Sequence, residues 1–145
     1  MWSGALGHVA MEHLQGAASL ADHIGVPLED LLLPCVFCGV FLTYSDLVAF
    51  DFKKLQLTWK KGYPHASCSA CARKVAERER ELFTERILTG VQFAEQFGGG
   101  LTTVFCRCFG CLKLLTVTEL VLAITRGDSF FLVRGRWRGR CRTCQ

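Results

Sequence analysis

Short apolar runs broken by glycine, proline and cysteine dominate the chain. Val36 to Phe41, Leu47 to Phe52, Leu55 to Trp59 and Phe130 to Val133 are rich in β-branched and aromatic residues, a pattern that predicts mainly short strands. Thr43-x-x-Asp46 and Thr116-x-x-Glu119 have the form of helix starts, a hydroxyl at the cap and an acid three residues on. Residues 72–88 lack glycine and proline and place Val75, Leu82, Phe83 and Ile87 along one broad helical face with charges around the rest. This predicts a connecting helix that ends near Gly90, with Gly98, Gly99 and Gly100 marking a break before the next segment. Pattern alone leaves open whether that helix only spaces its flanking parts or also walls a groove. Upstream, Pro27 can open a helix that puts Leu28, Leu31 and Leu32 on one face. The string Leu28-Glu29-Asp30-Leu31-Leu32 is literally an acidic LxxLL sequence, read as packing onto the segment after Cys35, with a ligand role left open.

Composition narrows the class. Half of the 145 residues are apolar, enough for a packed core. No segment approaches the ~18 apolar residues of a membrane span. His8, Glu12, His13, Gln15, Asp22 and His23 interrupt the start of the chain, so no secretory signal is expected and the thiols are expected to stay reduced. The net charge of +4 is unevenly spread: Arg126, Arg134, Arg136, Arg138, Arg140 and Arg142 all crowd toward the C-terminal end. Such a patch suits a polyanion or an acidic peptide, and charge alone does not choose between them.

Eight of the nine cysteines form the pairs Cys35/Cys38, Cys68/Cys71, Cys108/Cys111 and Cys141/Cys144. The interval from Cys38 to Cys68 is the same as that from Cys111 to Cys141. A shift of 73 positions also lays Leu42 on Leu115, Thr43 on Thr116, Leu47 on Leu120, Val48 on Val121 and Gly62 on Gly135. The chain therefore holds an internal repeat of about 37 residues. Two cysteines separated by two residues can aim both thiolates at one ion from a tight turn, and two such turns complete a closed tetrahedral site. A unit so short folds with much of its free energy drawn from metal, on the order of 10 kcal/mol. The expectation is two zinc ions, one on Cys35, Cys38, Cys68 and Cys71, the other on Cys108, Cys111, Cys141 and Cys144. Redox pairs, disulfides and an iron-sulfur cluster fit the paired spacing less well. Cys106 has no partner at ligand spacing and reads as a free thiol. The fold class is α+β: two homologous small four-cysteine zinc domains joined by a linker helix, with an N-terminal arm at 1–34, domains at 35–71 and 99–145, and the linker at 72–98.

The cysteine pattern, the phrase Pro34-Cys35-Val36-Phe37-Cys38, the Leu-Val after each Thr-x-x-acid and the charged linker together resemble the papillomavirus early protein 6 family over residues 35–144. The resemblance implies a viral adaptor without catalytic activity that captures amphipathic LxxLL helices of host proteins in a pocket formed by two zinc domains and a linker helix. The implied partners are a HECT-type ubiquitin ligase or a mastermind-like coactivator of Notch signalling, the coactivator slightly favoured, in host nucleus and cytoplasm. By motif position, Val36, Phe37, Phe50, Leu55 and Val75 line the apolar wall, while Arg107, Arg134 and Arg136 face acidic residues of the peptide. Bidentate guanidinium–carboxylate bonds agree with that role. The sequence stops one position after Cys144, so PDZ partners are not expected. Self-association is possible through strands of the first domain. The alternative class is a zinc-dependent nucleic-acid-binding regulator, with weak DNA binding able to coexist. An enzyme is not expected, because a closed four-thiolate site leaves no position for a catalytic water and His65 is the sole histidine within either repeat.

Overall fold

A computed structural model describes residues 14–144. The chain divides into two compact units, Met1–Cys71 and Ala72–Gln145. In chain order the elements are α1 (Ala17–Ile24), a 3-10 turn (Leu28–Asp30), α2 (Tyr44–Phe52), β1 (Thr58–Lys60), β2 (Tyr63–His65), α3 (Ser69–Phe83), β3 (Thr84–Thr89), α4 (Gly90–Phe97), a second 3-10 turn (Leu101–Thr103), β4 (Cys106–Cys108), α5 (Val117–Arg126), β5 (Ser129–Val133) and β6 (Arg136–Gly139). The class is α+β, as expected.

In the first unit, β1 and β2 form an antiparallel hairpin in register Lys60↔Tyr63. Its two-residue turn, Lys61-Gly62, has φ of 51° and 82°, the left-handed pair that matches the twist of flanking strands. Leu20, Leu31, Leu33, Leu47 and Phe50 bury together. Helix α1 is held by a borrowed cap. Its own N-cap, Gly16, has no side chain to offer, and the Asp51 carboxylate accepts from Ala17 N (2.7 Å) and Ala18 N (2.9 Å) instead.

The second unit is built on a four-stranded sheet of order β3-β5-β6-β4, antiparallel except for the parallel β4–β6 pair. Phe93 of α4 stacks on Phe130 of β5 at 4.0 Å between centroids. Gly139 has to be glycine here: a Cβ would meet the Phe130 ring at 2.8 Å.

The repeat extends to individual hydrogen bonds. Cys35 N donates to Val40 O and Cys108 N to Lys113 O; Val36 N donates to Ala66 O and Phe109 N to Gly139 O; Leu42 N donates to Leu33 O and Leu115 N to Cys106 O. The turn Arg134-Gly135, with φ of 50° and 76°, repeats Lys61-Gly62.

Several local expectations are corrected. Leu47 to Phe52 is helix, not strand, because Thr43 caps it by accepting from Asp46 N and the three-residue step from Leu47 to Phe50 turns both inward. Val36 to Phe41 is a turn with isolated bridges, and of Leu55 to Trp59 only Thr58 and Trp59 are strand; Phe130 to Val133 lies in β5 as predicted. The connecting helix stops at Phe83. Residues 84–89 leave it as an edge strand on β5, in register Ile87↔Phe131 and Leu88↔Phe130, so cross-strand pairing overrides the helical pattern. Leu28, Leu31 and Leu32 do not share a helical face: Leu31 is buried and Leu32 is 72% exposed. The first three residues of their LxxLL string form a 3-10 turn, Leu28–Asp30, and Leu28 and Leu31 pack into the first core.

Candidate metal centres

Each set of four cysteines converges. The ligand atoms of Cys35, Cys38, Cys68 and Cys71 lie within 4.8 Å of one another, and so do those of Cys108, Cys111, Cys141 and Cys144. Thiolates around zinc at about 2.3 Å stand roughly 3.8 Å apart, and Cys111 Sγ and Cys141 Sγ are separated by 3.8 Å. The donor set, all sulfur and four-fold with backbone amides aimed at it, fits zinc.

The same turn builds the first pair of each site. Phe37 N points at Cys35 Sγ (3.4 Å) and Gly110 N at Cys108 Sγ (3.3 Å); the second pair adds Cys68 N to Cys35 Sγ (3.5 Å) and Cys141 N to Cys108 Sγ (3.4 Å). These donors stabilise charge on sulfur. Burial raises the Cys35 thiol, but the N–H groups of Cys68, Cys38 and Phe37 more than reverse this and bring it to about 6. Donation from the Cys111 thiol, helped by the Cys141, Gly110 and Cys111 amides against burial, draws Cys108 to about 4. Their partners move the other way: the Cys68 thiol beside it and burial push Cys71 up to about 12, and burial with the Cys108 charge pushes Cys144 up to about 11. One position in each set thus carries ready negative charge, and metal loading has to expel the protons that Cys71 and Cys144 hold. The sites differ in shielding: Cys38 is exposed and Cys68 and Cys71 are half-buried, whereas Cys108, Cys111 and Cys141 are all buried. Cys106 stands outside both sets.

Of the residues assigned to peptide binding, Phe37 is exposed, Val36, Leu55 and Val75 are half-buried, and Phe50 is corrected: at 2% exposure it is core and offers no wall to a ligand. A shallow apolar recess of about 660 Å³ on the first unit is lined by Leu32, Pro34, Phe41, Tyr63 and Pro64 with Lys60 and Lys61. None of the assigned residues lines it.

In the second unit, Arg107 and Arg138 are register partners across β4 and β6. Burial, then the charges of Arg138 and Arg136, lower the Arg107 guanidinium below its usual range. Burial and Arg136 act likewise on Arg138, opposed by Glu79. Glu79 is the counter-charge, 3.6 Å from Arg138 and 3.9 Å from Arg134. Arg134 also lies over the Phe83 ring at 3.7 Å. Sequence reasoning gave neither Arg138 nor Glu79 a place in the site. Their pairing joins α3 to β6, and no local spacing announces it.

Two copies of one four-thiolate unit define the chain as a duplicated zinc protein with two zinc sites. Residues 35–144 match the family described as Early Protein (E6). The chain is 42% identical over 134 residues to Protein E6 of human papillomavirus 38 (90% of this chain, 94% of the relative). It is 41% identical over 127 residues to Protein E6 of Mastomys natalensis papillomavirus (88% and 94%). It is 39% identical over 137 residues to Protein E6 of human papillomavirus type 60 (92% and 96%). The chain belongs to the papillomavirus E6 family.

Proposed function

We propose that this chain is a non-enzymatic viral adaptor that captures acidic LxxLL helices of host proteins. The observation that carries the reading is the placing of Arg107 beside Arg138 in the β4–β6 register, with Arg136 at the exposed start of β6. Arg138 is already paired with Glu79, and the guanidinium of Arg136, exposed at the start of β6, is the group offered to an incoming carboxylate. Apolar contact is assigned, on the family resemblance, to Val36, Phe37, Leu55 and Val75.

Nucleic acid is the weaker fit. Arg126 and Arg140 are both committed to Asp128 and Arg138 to Glu79. Trp137 packs edge-on against Phe93 and Phe97 at 5.3 and 6.1 Å, so its ring is not a free stacking platform for a base.

Two partner classes follow from the family resemblance, a mastermind-like Notch coactivator and a HECT-type ubiquitin ligase, with the host nucleus and cytoplasm as the place of action. The coactivator is preferred slightly, and a ratio of tenfold needs only about 1.4 kcal/mol. The test is titration calorimetry of the zinc-loaded chain with an acidic LxxLL peptide. Arg136→Ala removes a charged contact of roughly 1.5–3 kcal/mol, and Leu55→Glu sets a charge against the peptide's leucines. Both weaken binding with zinc content unchanged; wild-type affinity in both variants overturns the reading. A Notch reporter that falls on expression of the chain supports the coactivator, and an unchanged reporter beside strong ligase co-purification reverses the order.

A further inference from the structure

Each helix that follows a first cysteine pair carries an acid at its third position, Asp46 in α2 and Glu119 in α5. The capping motif explains an acid there, but not where the carboxylates go. Asp46 Oδ1 accepts from Ser69 N at 3.3 Å, and Glu119 Oε2 accepts from Arg142 N at 2.9 Å. Ser69 and Arg142 come immediately after Cys68 and Cys141, the leading cysteines of the second pairs. The two contacts superpose under the internal repeat, although the side chains differ in length. Glu119 does more than Asp46. Its Oε1 accepts from Lys113 Nζ at 2.6 Å and from Thr116 N at 3.1 Å, and Lys113, two positions past Cys111, accepts from Cys108 N at 2.8 Å through its own carbonyl. Glu119 is 4% exposed. At the position equivalent to Lys113 the first unit has Val40, which offers no ammonium group.

We infer that Asp46 and Glu119 are the positioning residues of the two zinc sites, each carboxylate tying the second cysteine pair to the helix that follows the first pair. Two pairs far apart along the chain must meet within one sulfur–sulfur distance. A fixed acceptor at a helix start holds the peptide of the second turn, and with it the thiolates, in ligating geometry. Glu119 grips both turns of its site and Asp46 only one, so the second site is the more rigidly prepared. Neither carboxylate belongs to a four-cysteine set, and neither is a ligand.

The full chain loaded with cadmium-113 gives one resonance per site, and the zinc-loaded chain gives two release steps to a chelator. Glu119→Ala is expected to move one resonance and speed one release step by about ten- to a hundredfold, leaving the other site as an internal control. Asp46→Ala moves the other resonance, with a smaller change in rate. Glu119→Gln and Asp46→Asn, which keep an oxygen for the Arg142 and Ser69 amides, bring the resonances back toward wild type and also serve if an alanine variant fails to fold. The inference is overturned if neither resonance moves, if one substitution moves both sites alike, as general loosening would, or if the amide variants match the alanine variants.

Discussion

Cys106 lies two positions ahead of Cys108, is fully buried and belongs to neither zinc set. Burial, only partly offset by Arg138, pushes its thiol up to about 12, and its place outside both converging sets is what leaves it without a metal. Cys106→Ser is therefore expected to retain two zinc ions at a stability cost of about 1–3 kcal/mol for the buried hydroxyl. Serine at any of the eight ligands loses one. Native mass spectrometry distinguishes the cases, and a chain with one zinc after Cys106→Ser contradicts the assignment. The eight ligands were legible in sequence because each pair is written as two cysteines with two residues between them. Phe50 was not, since an apolar residue looks the same whether it faces a ligand or the core. Packed beside Leu47 at 2% exposure, it is expected to cost about 3–5 kcal/mol as Phe50→Ala, read by denaturant unfolding. A loss below about 1 kcal/mol would return the ring to the surface.

Helix starts survived the passage from sequence to structure because a cap is local. Thr43 and Thr116 both accept the third-position N–H, at 3.1 and 3.2 Å. Strand β3 did not, since nothing within 84–89 names β5 as its partner; the Thr84 hydroxyl, bonded back to Arg80 O, marks the place where α3 gives way. The end of α5 is held by contacts of shorter range, over two and twelve positions. Asp128 accepts from Arg126 at 2.7 Å and from Arg140 at 2.8 Å, fastening α5 to the segment that leads into Cys141. Burial raises its carboxyl, but bonds from Arg126 and Arg140 outweigh that and hold it below the usual range. A depressed carboxylate stabilises the fold above its unfolded pKa and ceases to do so as pH falls through the folded value. Asp128→Asn is expected to lower stability by about 1 kcal/mol near neutrality. The gap from wild type closes as pH drops below about 4. Thermal melts of both proteins across pH check this, and a gap that stays constant removes charge from the explanation.

At the scale of the whole chain the duplication was the most legible feature, because equal intervals between cysteine pairs come with matching residues at a shift of 73 positions. Equal ligand sets do not make equal sites. In the first unit Cys38 is exposed and two further ligands are half-buried; in the second, three of four are buried, and the Gly110 backbone passes so close that an added Cβ would stand 3.1 Å from Cys144 Sγ. A chelator removes zinc by an attack that needs access to the ion and by transient opening of the site, and burial slows both. The two zinc ions of the wild-type chain are therefore expected to leave in two steps, the faster from Cys35, Cys38, Cys68 and Cys71. Alkylation during chelation, followed by peptide mass mapping, identifies the thiols released at each step. Early labelling of Cys108 and Cys111 would mean that shielding does not govern release. A single step labelling all eight cysteines together would mean that the two units lose their metal as one.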